Sequence, residues 1–254
     1  MTRGQTSGDD ALPAVFETVH RAFTQHRRLV TLGSYGWRMR AAYHDQLDSI
    51  IEELVTMTGN VRASLRNATT SLLNADARLA EQVISADHEI DLEREVIEDR
   101  AFELLAMQQP VASDLRMLVA GLRMVADLER MGDLSVHIAK VARLRFPAHA
   151  IPHHIEPTIA KMADVAEHMV GSAAEIVAER DLDAARALEQ QDDEMDQLRR
   201  SLFRTLLSDE WDAGVEAAID IALLGRYYER IADHAVSMAR RVVYLVTGEH
   251  PPLV

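Results

Sequence analysis

From Leu47 onward the apolar residues fall at Leu47, Ile50, Leu54, Met57, Val61, Leu65, Ala68 and Leu72, in steps of three and four. That spacing follows the turn of an α-helix and predicts one long helix with a single apolar face. A second run, Ile155, Ile159, Met162, Ala166, Met169, Ala173 and Ile176, predicts another. Seams of this kind pack helices at shallow angles, as in bundles. Glycine and proline are sparse, and Ala, Leu, Glu, Arg, Met and Gln dominate between them, which is an all-helical composition. Breaks are expected near Asn74 to Asp76, at Gln109-Pro110, across Phe146 to Pro152, near Arg180-Asp181 and around Ser208 to Asp212. Asp76 and Asp181 are expected N-caps, because a side-chain oxygen there accepts an otherwise orphaned helix N–H. Six helices follow, three on each side of the Pro147/Pro152 linker.

The halves resemble one another. A shift of 105 lays Met57 on Met162, Asp76 on Asp181, Asp87 on Asp192 and Asp91 on Asp196. A shift of 100 lays Glu129, Arg130 and Asp133 on Glu229, Arg230 and Asp233. The change of shift predicts a turn between second and third helix that is five residues longer in the first half, at Gln108-Gln109-Pro110-Val111. The fold class is therefore all-α, two tandem three-helix bundles related by internal repeat. The first repeat is expected over 39–146, the linker over 147–152, the second repeat over 153–248 and a tail over 249–254. Residues 1–38 fit neither repeat. They are expected to be a disordered extension or a misassigned start, with the native start at Met39.

Charge and composition narrow the function. With 27 basic and 41 acidic residues the formal charge is −14, which suits cations or basic partners and excludes sequence-independent nucleic-acid binding. The chain has no cysteine, so disulfides, iron–sulfur clusters, thiolate metal sites and cysteine nucleophiles are excluded. The first thirty residues carry Asp9, Asp10 and Glu17 and hold no apolar core of signal-peptide kind. No window approaches the ~18 to 20 apolar residues of a membrane-spanning helix, and a cytoplasmic location is expected.

Glu129 with Asp133, and Asp87 with Asp91, stand four residues apart, so each pair shares a helix face with Cβ atoms ~6 Å apart. If those helices are antiparallel neighbours, four carboxylates meet; Asp192, Asp196, Glu229 and Asp233 repeat the arrangement. A single acidic pair in so acidic a chain is usually a solvated face. Recurrence on both helices of both halves argues for a counterion, because like charges at this spacing repel. Oxygen-only sites favour magnesium, manganese, calcium or iron. His137, four beyond Asp133, is a candidate to join the first cluster, while Ser237 takes its place in the second. Arg130 and Arg230 are expected as salt-bridge partners, and His234, adjacent to Asp233, points elsewhere. Met57, Met124, Met162 and Met169 are expected to fill the core. The only Glu-x-x-His motif is Glu17 to His20, and no phosphate-cradling glycine loop or G-x-S-x-G elbow occurs, so no catalytic residue is assigned.

From Met39 to about Gly248 the chain resembles the PhoU family of regulators associated with phosphate-specific transport. The resemblance is carried by MRAAYHDQLDSI from Met39, QQPVASDLRML from Gln108 to Leu118, ERMGD from Glu129 to Asp133 and ERIAD from Glu229 to Asp233. Family members often place Asn four residues after the last motif Asp, where this chain has His137 and Ser237. The resemblance implies a homodimer and multinuclear clusters of iron, zinc, manganese or magnesium on the acidic motifs. It also implies a non-enzymatic adaptor linking the ATPase subunit of the phosphate transporter to a membrane sensor histidine kinase, a negative regulator of phosphate uptake and the starvation response. The alternative is a carboxylate-bridged multinuclear metal enzyme, a phosphatase or oxidase, since clustered metals polarise phosphoryl oxygens or activate water.

Overall fold

The computed structural model of the protein describes residues 43–249. The expected extension over 1–38, the start at Met39 and the tail beyond Glu249 fall outside those residues. Helix α1 occupies 43–73 and is followed by α2 (Ala77–Gln108), α3 (Ser113–Arg145), α4 (Glu156–Glu179), α5 (Leu182–Leu206) and α6 (Gly214–Thr247). The described residues contain no strand.

Local chemistry sets the helix ends. Asp76 Oδ1 accepts the Leu79 N–H at 2.9 Å, and Asp181 Oδ1 accepts those of Asp183 at 2.8 Å and Ala184 at 3.0 Å, so both second helices start on the expected caps. Helix α2 stops where Gln109 turns left-handed, directly before Pro110, which lacks the N–H to continue. Gly248, at φ 76°, closes α6 with its N–H on Tyr244 O at 2.8 Å, a conformation that side chains disfavour.

The predicted seams form the core. All positions from Leu47 to Leu72 on the first seam are at most 1% exposed, and those from Ile155 to Ile176 on the second are at most 3% exposed. Met57, Met124, Met162 and Met169 are buried among them. The offset between the halves lies elsewhere than expected. Helix α2 has 32 residues and α5 has 25, whereas the connections that follow run over 109–112 and 207–213. The extra length of the first half is thus helix, and its turn is the shorter one. Residues beyond Arg100 keep helical periodicity, with Ala101 and Leu104 buried, so α2 simply continues for about two more turns.

Two antiparallel helix pairs join the bundles. Across α3 and α6, Asp127 meets His234 and Arg241, while Arg145 meets Glu216 and Asp220, so the two helices run in opposite directions. Across α1 and α4, Arg66 bonds Glu167, and the Arg62 guanidinium lies where a Cβ on Gly171 would sit 3.0 Å away. Helix α2 packs on α1 and α3, through Asn60–Glu93 and Arg100–Glu53 on the α1 side, and α5 packs on α4 and α6. The second helix of each repeat thereby flanks the four joining helices, and the candidate carboxylates lie along the α2/α3 and α5/α6 pairs.

Candidate metal centres

Each centre draws on two helices. In the first bundle α2 carries Asp87 and Asp91 one turn apart, and α3 carries Glu129 and Asp133. Gly132 brings the helices close: a methyl there would stand 3.2 Å from Ile90 Cδ1 and 3.8 Å from Asp87 Oδ1. The small residue inside the motif therefore makes room for Ile90 of α2 against α3, one turn from the Asp87 carboxylate. Burial pushes Asp87 above the usual carboxylate range, and the charges of Asp133 and Asp91 add to the shift. Glu129 is raised in the same way, by burial and then by Asp133.

The second centre repeats the pattern. Burial raises Asp192 to about 6, helped by Asp233, Asp196 and Glu229. Asp233 is also raised, by burial and then by Glu229. In each half the carboxylates from both helices therefore lie within one another's field. As the side chains stand, no three His, Asp or Glu side chains among the described residues are gathered closely enough to hold one ion.

Arginines stand against four of the eight carboxylates. Arg130 lies 3.6 Å from Glu129 and 3.2 Å from Asp133; Arg200 lies 2.8 Å from Asp196. Arg199 stands 3.2 Å from Glu229, which Arg226 also bonds. The donor set, hard carboxylate oxygens that repel one another, fits a divalent cation, with guanidinium groups now answering the same charge. Arg230 acts on Asp233, favouring its charged form.

His137 places Nδ1 2.7 Å from the Asp133 carbonyl, with its ring edge-on to Tyr227. His234 turns away from the cluster, as its position next to Asp233 predicts, and donates to Asp127 at 3.0 Å. Sequence reasoning missed Arg199 and Arg226. Arg226 had a visible signal, since it stands three residues before Glu229 on the same helix face. Arg199 had none until its rotamer was known.

The raised acid carries a pH signature. Because Asp192 titrates higher in the folded chain than in the unfolded one, the folded form binds more protons between the two values. Its ionisation thus weakens the fold above about 6. The metal-free protein is expected to gain stability as pH falls from 7 toward 5, and Asp192→Asn should flatten this gain while raising stability at pH 7. Urea unfolding at the two pH values measures both effects, and a variant less stable at pH 7 would contradict them.

Comparison with known proteins follows the same division. A family model described as the PhoU domain matches twice, over residues 54–142 and 159–242, and each match contains one set of four carboxylates. The phosphate-specific transport system accessory protein PhoU homolog 2 of Mycobacterium tuberculosis is 47% identical over 213 residues, 84% of this chain and 100% of that protein. The crystal structure of PhoU from Pseudomonas aeruginosa matches at TM-score 0.72 and 29% identity, covering 82% of this chain and 100% of that one. The phosphate transport system regulatory protein PhoU from Streptococcus pneumoniae matches at 0.75 and 25%, covering 83% and 100%.

Proposed function

We propose, from the premise that the chain belongs to the PhoU family, that it is a negative regulator of phosphate uptake and of the phosphate-starvation response. It acts as a metal-binding adaptor, in a homodimer, between the ATPase subunit of a phosphate transporter and a sensor histidine kinase. The observation that carries the regulatory reading is the double family match, with a relative named as a transport accessory protein aligned over its whole length. No helix among the described residues is long and apolar enough to cross a membrane; on this reading membrane association runs through the partners.

The metal reading rests on the matched carboxylates. Asp87, Asp91, Glu129 and Asp133 would hold one centre, and Asp192, Asp196, Glu229 and Asp233 the other. A bound iron, zinc, manganese or magnesium ion supplies positive charge that offsets the repulsion seen at Asp87 and Asp192. Within each bundle the carboxylates come from neighbouring helices, so the chain's own donors would tie α2 to α3 and α5 to α6. That would fix the surface the bundles present to a partner.

Two measurements test the reading. In a strain lacking the gene and grown in excess phosphate, alkaline phosphatase activity is expected to be high and to fall when the full chain is supplied. Unchanged activity would remove the regulatory role. Manganese at 100 times its Kd should raise stability by about 2.7 kcal/mol, following RT ln(1 + [L]/Kd). The corresponding rise in Tm should vanish when Glu129, Asp133, Glu229 and Asp233 are all replaced by alanine. An equal rise in that variant would reduce the motifs to a solvated face.

A further inference from the structure

We infer that the two carboxylate centres are unequal, and that a divalent cation occupies the first bundle's centre ahead of the second's because Arg199 and Arg226 hold Glu229 in ion pairs that the cation has to displace. The inference rests on the metal-binding reading above and concerns which side chains oppose it.

The repeat makes the comparison position by position. Arg94 of α2 corresponds to Arg199 of α5 at a shift of 105, but their surroundings differ. Arg94 turns one helical turn along to Glu98, at 3.2 Å, and meets Glu129 only through its charge. The position of Glu98 is Phe203 in the second half. Arg199 has lost that acid; its guanidinium lies over the Phe203 ring at 5.9 Å, with Nε 3.2 Å from Glu229 Oε1. On the third helix, Ala126 corresponds to Arg226 at a shift of 100, and Arg226 bonds the other oxygen, Glu229 Oε2. Glu95 corresponds to Arg200, which bonds Asp196 at 2.8 Å. Each of these three exchanges makes the second centre more positive.

Burial amplifies the difference. Glu229 has a side chain 9% exposed and both oxygens engaged, so a cation there must break two guanidinium contacts at a nearly dry carboxylate. Glu129 is 25% exposed and faces Arg130 alone at 3.6 Å, on a side chain that is 63% exposed. Exposed ion pairs are weak, while charge-assisted hydrogen bonds away from water are strong. Arg130 on Asp133 and Arg200 on Asp196 are equally exposed pairs and offset one another, so the difference lies at the glutamates, where Arg199 and Arg226 compete with a cation for Glu229 more than Arg130 does for Glu129. A separation of affinities of about tenfold or more is expected, since a charge-assisted hydrogen bond such as that of Arg226 to Glu229, backed by the Arg199 ion pair, is of a size that changes an equilibrium constant by that order.

Titration of the metal-free full chain with Mn²⁺, followed by calorimetry and by the paramagnetic resonance of the free ion, tests this. The wild type should show a tight and a weak class. Glu129→Gln with Asp133→Asn should remove the tight class, and Glu229→Gln with Asp233→Asn the weak one. Arg226→Ala, which copies the first bundle, should tighten the weak class, and Ala126→Arg should loosen the tight one; both positions are exposed, and circular dichroism checks that the helices persist. Equal classes, assignment of the tight class to the second bundle, or a weak class indifferent to Arg226→Ala would overturn the inference while leaving metal binding in place. No Mn²⁺ bound to the wild type would reject the metal reading and the inference with it.

Discussion

Replacing Tyr228 with alanine is expected to destabilise the chain by about 4 kcal/mol, the range for removing a buried aromatic ring and leaving its cavity. Tyr228 is 0% exposed and lies on α6, one residue before Glu229. Its hydroxyl stands 2.9 Å from Thr69 Oγ1 on α1, so a residue of the second bundle closes on a helix of the first. Burial holds the phenol well above its ordinary pKa, which keeps it neutral as a partner for Thr69. Tyr228→Phe keeps the ring and loses only the hydrogen bond, at a cost of about 1 kcal/mol, because Thr69 is partly exposed and water can replace the hydroxyl. Urea denaturation of the metal-free protein separates the two variants. Similar losses from both would mean that the hydroxyl and not the ring carries the position.

Asp127→Ala is expected to cost about 3 kcal/mol, since removing one member of a buried charged group leaves its partners unpaired. The Asp127 side chain is 10% exposed and receives the His234 Nδ1–H at 3.0 Å and the Arg241 Nε–H at 2.9 Å, both from the opposite bundle. Without the carboxylate, His234 loses this bond, and its Nε2 is already buried without a partner. Burial works to raise Asp127, but the hydrogen bonds from His234 and Arg241 and their charge outweigh it, and the carboxyl titrates below its ordinary value. The folded pKa being depressed, this group's contribution is complete above the unfolded value near 3.9 and is lost as pH falls through the folded one. Asp127→Asn should therefore weaken the protein at pH 7 and shrink its loss of stability on acidification. The sign is opposite to that of Asp192, where ionisation opposes folding. An acid limb of unchanged depth in Asp127→Asn would place the sensitivity elsewhere.

Both sites show where sequence reasoning stops. Asp127 stands two residues before Glu129 and reads as one more acid on an acidic helix; its partners are 107 and 114 residues away. Tyr228 reads as one apolar position among many. The same limit governs the offset between the repeats. A shift from 105 to 100 counts missing residues without saying whether helix or turn has lost them, and only packing of Ala101 and Leu104 assigns the surplus to α2. For the carboxylates, spacing placed each pair on one helix face and the repeat paired the faces. Which guanidinium stands between them could not be read, because Arg94 and Arg199 occupy equivalent positions and differ only in what surrounds them.

The sequence by itself determined six helices, two buried seams, the two aspartate caps, the twofold repeat and the positions of eight matched carboxylates. Each of these depends on local chemistry, on the 3.6-residue period, on a side chain reaching its own helix end, or on comparison of one stretch with another. Tertiary structure alone decided that α3 runs antiparallel to α6 and α1 to α4, that Asp127 joins the bundles, and that Arg199 turns to Glu229 while Arg94 turns to Glu98. These depend on which groups meet across large separations in the chain. There burial and competing charges, rather than helical propensity, choose among orientations that the sequence leaves equally open.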